Sequence, residues 1–197
     1  VGGGHEQVDL AAPEELPVKQ ALDAGARGVI IPNVNSAEQA ARLVSYARYS
    51  PEGIRGVGLA RAHGYGKTFA EYLQAANDEI AVVVQAEHID AVDNMEEIVQ
   101  VPGIDAVLIG PYDLTASLSK MGQLDDPDVV QAIEHVTTTC RAAGIPLGIF
   151  GVNPAAMVSH IEQGFTLLVV GTDAIYLNHA AETALAETRS AITAKAR

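Results

Sequence analysis

Two carboxylates stand directly behind apolar runs. Glu87 closes Ile80-Ala81-Val82-Val83-Val84-Gln85-Ala86-Glu87, and Asp113 closes Ala106-Val107-Leu108-Ile109-Gly110-Pro111-Tyr112-Asp113. Runs of this kind, bounded by turn residues, read as strands covered on both faces. The two acids lie one βα repeat apart, which puts them at adjacent strand ends. Their hard oxygens suit Mg²⁺ or Mn²⁺ and leave coordination positions for substrate and water. The same placement also suits helix N-caps in βα loops. Gln85 precedes Glu87 by two residues, so the strand period puts both on one face. An inward Gln costs free energy unless it is hydrogen-bonded, so it is either structural or part of a site. Behind Gly110-Pro111, the N–H groups of Tyr112 and Asp113 can receive an anionic oxygen, although a plain tight turn would look the same.

Gly53-Ile54-Arg55-Gly56-Val57-Gly58 is a glycine-flanked arginine. Glycines let a ligand approach the backbone, and Arg55 can fork onto a carboxylate. A solvated loop arginine is the competing reading. The loop lacks the spacing of a P-loop or a dinucleotide fingerprint. The histidines do not cluster: His63 sits in a His-Gly-Tyr-Gly loop, His88 adjoins Glu87, and His135, His160 and His179 fall on expected helices.

The elements that must position these groups follow from periodicity and punctuation. Strands are expected at 28–32, 80–86, 105–109, 147–150 and 167–171. Helices are expected over 14–24, 37–49, 68–77, 89–99, 127–143, 154–163 and 177–195, with Ser36 as an N-cap and Gly144 as a C-cap. Residues 1–13 show no clear element. Alternating strands and helices imply right-handed βαβ units and a parallel sheet. A closed (β/α)₈ barrel needs eight strands and typically about 250 residues. Five strands fall three short of that, and residues 14–197 read as one α/β domain behind a flexible or incomplete segment, 1–13.

The chain has 197 residues, 48% of them apolar and none of them Trp, so its core is built of Val, Ile, Leu and Ala. A formal charge of −13 argues against nucleic acid and an anionic membrane surface. No apolar run approaches the ~20 residues that span a bilayer. The single cysteine, Cys140, excludes an intramolecular disulfide and fits a reducing, cytoplasmic setting. Its place in the 127–143 helix reads as a buried, inert thiol.

Taken together, these segments resemble the HpcH/HpaI family of metal-dependent class II aldolases. The resemblance is carried by Leu22-Asp23-Ala24-Gly25-Ala26 leading to Ile30-Ile31-Pro32, by Gly53 to Gly58, by Val84-Gln85-Ala86-Glu87, by Gly103-Ile104-Asp105, by Ile109-Gly110-Pro111-Tyr112-Asp113-Leu114 and by Gly148-Ile149. It runs from about residue 17 to residue 185. It implies a TIM (β/α)₈ barrel of the phosphoenolpyruvate/pyruvate type, with about three N-terminal strands missing from these 197 residues. It implies a divalent ion (Mg²⁺, Mn²⁺ or Co²⁺) and reversible cleavage of 4-hydroxy-2-oxo acids to pyruvate and an aldehyde through a pyruvate enolate. Glu87 and Asp113 would then be the metal ligands, and Arg55 would bind pyruvate and stabilise the enolate. Gln85 would contact pyruvate, the amides of Tyr112 and Asp113 would take its carboxylate, the Tyr112 side chain would narrow the pocket, and Phe150 would shape the aldehyde side, with core packing as its equal alternative. A homo-oligomer is also implied, a hexamer or trimer of dimers, with the 177–195 helix exchanged between subunits. Its Ala-rich, mildly amphipathic pattern equally suits packing on its own barrel. The family's Asp-x-Glu-His motif, which ends an earlier strand and supplies an acid/base histidine, has no match here; His5-Glu6 is not one. That leaves oxaloacetate decarboxylation as an alternative reaction, and a non-catalytic assembly element as a third reading.

Overall fold

Six runs of backbone pair side by side, every neighbour parallel, in the order in which they occur in the chain. They are β1 (Gln7–Asp9), β2 (Gly28–Ile31), β3 (Ala81–Ala86), β4 (Ala106–Ile109), β5 (Leu147–Gly151) and β6 (Leu167–Val170). The computed structural model describes residues 7–195. Its sheet is curled into a half-barrel, and among the described residues no ladder joins β6 back to β1. Each crossover between strands carries helix: α1 (Glu15–Asp23), α2 (Ala37–Ala47), α3 (Phe69–Glu79), α4 (Ile89–Asp93), α5 (Met95–Ile98), α6 (Pro111–Ser117), α7 (Pro127–Ala143) and α8 (Val158–Glu162). The last helix, α9 (Asp173–Lys195), follows β6.

Strand alternation divides the core in two. Val29, Ile31, Val82, Val84, Val107 and Ile109 face the helices and join one large cluster. Ile30, Val83, Ala106 and Leu108 face the other way and form a small inner cluster, flanked by Leu167 and Val169. The ladder registers agree, since Ile30 pairs with Val83, and Val83 with Ala106. Helix ends are fixed by local chemistry, at Ser36 and Gly144 as the sequence signalled and at Asp126 in addition. The Ser36 side chain accepts the Gln39 N–H at 3.2 Å to start α2, Asp126 caps α7 ahead of Pro127, and Gly144 ends α7 in the left-handed region at φ 71°.

Four expectations change. The sheet has six strands rather than five, because Gln7–Asp9 forms β1 where no element was expected. The expected 89–99 helix breaks at Asn94 into α4 and α5, and Pro111–Ser117 is helical where a loop was read. The closing helix starts earlier, at Asp173, and its described residues are exposed along 173–192. Its first turn touches the sheet through the Tyr176 hydroxyl, which donates to the Val170 carbonyl at 2.6 Å, and the described residues beyond that turn stand exposed.

The arginine loop also has a different role from the expected one. Gly53 presses on the end of α2: a Cβ there would meet the Ser45 carbonyl at 2.3 Å and the Arg48 carbonyl at 2.5 Å. The next two amides close that helix, Ile54 N–H to the Ser45 carbonyl at 2.8 Å and Arg55 N–H to the Arg48 carbonyl at 2.9 Å. The Arg55 guanidinium is fully buried. It donates to Asp23 at 3.0 Å and to the Tyr72 hydroxyl at 3.1 Å, and lies 4.5 Å from the Tyr49 ring centroid. Asp23 and Tyr49 sit at the ends of α1 and α2. Crossover helices run antiparallel to their strands, so those ends belong to the amino-end rim of the sheet, opposite the rim that carries Glu87. Burial alone would raise the Asp23 carboxyl, but hydrogen bonds from Lys19 and Arg55 outweigh it and hold it below the usual range.

Arg55→Ala would strand the partly buried Asp23 charge and open a void between two tyrosines. It is expected to cost about 2–3 kcal/mol of stability, read as a lower urea midpoint with unchanged slope. Cys140 is buried, and burial pushes its thiol up to about 12. It is expected to resist a disulfide reagent in the native protein and to react with one equivalent in denaturant.

A candidate active site at the carboxyl ends of the third and fourth strands

Beyond its last ladder residue, β3 delivers Glu87 to the rim of the sheet. Glu87 is buried, and both of its oxygens are held. Oε1 accepts the backbone N–H of Asn33 at 2.8 Å, and Oε2 accepts from Gln85 Nε2. Gln85 and Glu87 therefore share a face, as the strand period required, and Gln85 gains the partner that an inward amide needs.

The Asn33 amide is aimed by its own backbone. Asn33 follows Pro32 at the end of β2 and adopts φ 52°, a left-handed conformation that Asn tolerates better than most residues. Its carbonyl accepts from Gln39 Nε2 at 2.9 Å, which fastens the turn to the first turn of α2. Asn33 belongs to the site but was not foreseen. The signal was Pro-Asn at a strand end, a turn whose target could not be read from one chain segment.

Gly110, just past the end of β4, closes the site from the other side. A Cβ at Gly110 would meet Gln85 Nε2 at 2.9 Å, Glu87 Cβ at 2.9 Å and Glu87 Oε2 at 3.0 Å. Its φ of −99° is open to any residue, so the reason for glycine here is space. Pro111 starts α6, and Asp113 lies in its first turn, close enough for its charge to act on Glu87. The first-turn amides of α6, those of Tyr112 and Asp113 among them, have no intrahelical acceptor. The Glu87 carboxyl is pushed above its usual range, first by burial and then by the negative charges of Asp113 and Asp9, against the lowering effect of its hydrogen bonds.

Asp9, at the end of β1, is a second residue the sequence reading missed. Burial raises its carboxyl as well. The alternation Gln7-Val8-Asp9-Leu10 was the available signal, but it is too short to stand out from the glycine-rich residues before it.

The remaining expected residues fall elsewhere. Arg55 is not at this rim; its side chain is committed at the opposite end, so it cannot reach an enolate beside Glu87 without dismantling that cluster. Phe150 lies on the inner face of β5, paired with Val169, and is half-buried. Tyr112 is about half exposed. Both line a cavity of about 570 Å³ between α7 and α8, which Glu87 and Asp113 do not line. His63 is buried, but its ring nitrogens bond Gly58, Ala60 and Gly66 of its own loop. His88 caps α4 by accepting the Asp90 N–H. His5-Glu6 lies outside the described residues.

The donor set fits a hard divalent cation. Two carboxylates at adjacent strand ends repel each other, and among the described residues each Glu87 oxygen accepts one hydrogen bond and the cysteine, Cys140, is buried in α7. Among the described residues no group of three His, Cys, Asp or Glu side chains forms a metal cage. An ion here would thus keep positions open for substrate and water.

Residues 10–180 match the family described as HpcH/HpaI aldolase/citrate lyase. The chain belongs to that family. It is 39% identical over 188 residues to a hydroxypyruvate/pyruvate aldolase of Roseovarius nubinhibens, covering 94% of this chain and 73% of the relative. It is 42% identical over 171 residues to a 4-hydroxy-2-oxo-heptane-1,7-dioate aldolase of Salmonella typhimurium, covering 86% of this chain and 65% of the relative. Among solved structures, an HpcH/HpaI aldolase/citrate lyase family protein from Burkholderia cenocepacia superimposes with a TM-score of 0.88 at 39% identity, over 94% of this chain and 74% of the other. Several such relatives are aldolases by name, which are carbon–carbon lyases. The chain spans roughly two thirds of the lengths of these HpcH/HpaI relatives, from 65% to 73% for the two named.

Removing the Glu87 charge tests this reading of the site. Its folded pKa is raised, so the native state binds that proton more tightly than the unfolded chain. Stability therefore falls as pH rises from the unfolded value through the folded one. Glu87→Gln is expected to raise the melting temperature at neutral pH without added metal; a rise with added Mn²⁺ is expected in the wild type and not in Glu87→Gln. Gly110→Ala is expected to weaken Mn²⁺ binding at least tenfold while leaving the melting temperature within a few degrees.

Proposed function

We propose that this chain carries the pyruvate half-site of a metal-dependent aldolase that cleaves, or forms, 4-hydroxy-2-oxo acids. The observation that carries the reading is the Glu87 carboxylate. It is buried, oriented by Asn33 and Gln85, pressed by Gly110 and faced by the charge of Asp113. Glu87 and Asp113 would hold the ion, whether Mg²⁺, Mn²⁺ or Co²⁺. When bound, that ion supplies Lewis-acid polarisation of the 2-oxo group. Gln85 is spent on orienting Glu87 and remains close enough to the rim to contact pyruvate. The Tyr112 and Asp113 amides at the start of α6 offer donors to the substrate carboxylate. Glu87 is buried, which keeps water from competing for its carboxylate and strengthens its interactions, while Tyr112 and Asp113 stand open at the rim where a substrate could reach them.

Arg55 enters this proposal only as a stabilising residue. Phe150, on the inner face, would bound the aldehyde side, with Tyr112 at its edge. Family membership supports the wider frame: an eight-stranded barrel, of which these six parallel strands would form three quarters, and a homo-oligomer. Helix α9 lies exposed beyond its first turn, which favours docking on a neighbouring copy over packing at home. Decarboxylation of oxaloacetate uses the same enolate and needs no base at a C4 hydroxyl; the commitment of His63 and His88 to their own loops keeps it as the second reading.

Pyruvate release from a 4-hydroxy-2-oxo acid, measured by coupled reduction, is expected to require a divalent ion. It should fall at least a thousandfold in Glu87→Ala and in Asp113→Ala. Full activity in either variant, or in excess chelator, would sink the proposal. Running oxaloacetate beside the aldol substrate on one preparation separates the two reactions.

A further inference from the structure

Asp9 takes no part in the half-site described above, yet its charge bears on it. Its Cα pairs with Ile30, an inner-face residue. Partners in a parallel ladder point to the same face, so Asp9 faces the inside of the curl. Val8 pairs with Val29 of the outer core, and Leu10 is buried in that core, which gives the alternation expected of a strand. The Leu10 N–H bonds the Ile30 carbonyl at 2.9 Å, so the backbone is held in the sheet through Asp9. The Asp9 charge reaches Glu87. Among the described residues no lysine, arginine or histidine pairs with it, and it joins no group of three potential metal ligands. Strand β2 lies between β1 and the carboxylate-bearing β3. Among the described residues Asp9 is thus an anion with no cationic partner, on the inner face beside the site but outside its ligand pair.

We propose that Asp9 selects the aldehyde partner, turning away aldehydes that carry an anionic tail and favouring neutral, hydroxyl-bearing ones. The inference rests on the pyruvate half-site above. An acceptor must approach the enolate carbon from the open inner face, where Asp9 stands. A second negative charge several ångströms from Asp9 is disfavoured on the order of five- to tenfold, partly screened by salt. A hydroxyl instead can donate a hydrogen bond to the carboxylate. Replacing the carboxylate by its isosteric amide removes the repulsion while keeping an acceptor oxygen.

The test compares kcat/KM for aldol addition of pyruvate to glycolaldehyde, which is neutral, and to succinic semialdehyde, which is anionic, in the wild type and in Asp9→Asn. The wild type is expected to favour glycolaldehyde. Asp9→Asn should shift the ratio toward succinic semialdehyde by on the order of five- to tenfold. In the wild type alone, added KCl should raise the rate with the anionic acceptor. A ratio unchanged by the substitution, or equal salt dependence in both proteins, overturns the inference. Deuterium wash-in to the methyl group of pyruvate, measured on the wild type without aldehyde, keeps the two failures apart. Wash-in with an unshifted ratio refutes only the role of Asp9. Absence of wash-in refutes the half-site, and the inference with it.

Discussion

Burying a carboxylate at the end of a sheet is the constraint on which this structure turns. A charge removed from water costs several kcal/mol unless partners replace its hydration. Glu87 recovers part of that from one backbone amide and one side-chain amide, and each donor needs its own support. Asn33 must leave the strand in a left-handed turn, Gln39 must hold that turn, and Gln85 must face inward on β3. Gly110 must have no side chain, because a methyl group would occupy the space of Glu87 and Gln85. Even so, burial and neighbouring acids leave the carboxyl above its usual range, so the arrangement is incompletely compensated by protein alone. A divalent cation is the partner that would complete it.

The opposite rim carries the stabilising ionic contacts. Arg48 is buried, donates to the Ile80 carbonyl at 2.8 Å and reaches Asp105 at 3.4 Å, while Asp105 accepts the Val82 N–H at 2.7 Å. That network stitches the starts of β3 and β4 to the end of α2. Arg55 does the same for α1, α2 and α3 through Asp23, Tyr49 and Tyr72. The two ends of the sheet thus differ in kind. The two buried arginines at the amino end, Arg48 and Arg55, are each paired with an acid, whereas at the carboxyl end the buried Glu87 feels the charges of two further acids, Asp113 and Asp9. In α/β barrels this polarity separates stability from chemistry.

The long apolar strands, the helix caps and the placement of Gln85, Glu87 and Asp113 were legible because they depend on short-range rules. Strand period put Gln85 and Glu87 on one face, and an acid just past an apolar run falls at the sheet mouth. Other features were not legible because they depend on contacts made across the fold. Strand β1 is three residues long, and pairing with β2 makes it a strand more than its own propensity does. Arg55 looked like a substrate-binding group because its glycine neighbours suggested close approach by a ligand. Of these, Gly53 does permit a close approach, but by the carbonyls that end α2. The contribution of Asn33 is a backbone donor, and no side-chain pattern announces one.

The central claim is that Glu87 and Asp113 together bind one divalent cation that the substrate then shares. Titration of the protein with Mn²⁺, followed by electron paramagnetic resonance of the free ion, tests it most directly. One site per chain is expected, lost in both Glu87→Ala and Asp113→Ala, and tightened when oxalate is added as a mimic of the pyruvate enolate. Binding that survives either substitution, or that oxalate leaves unchanged, would contradict it.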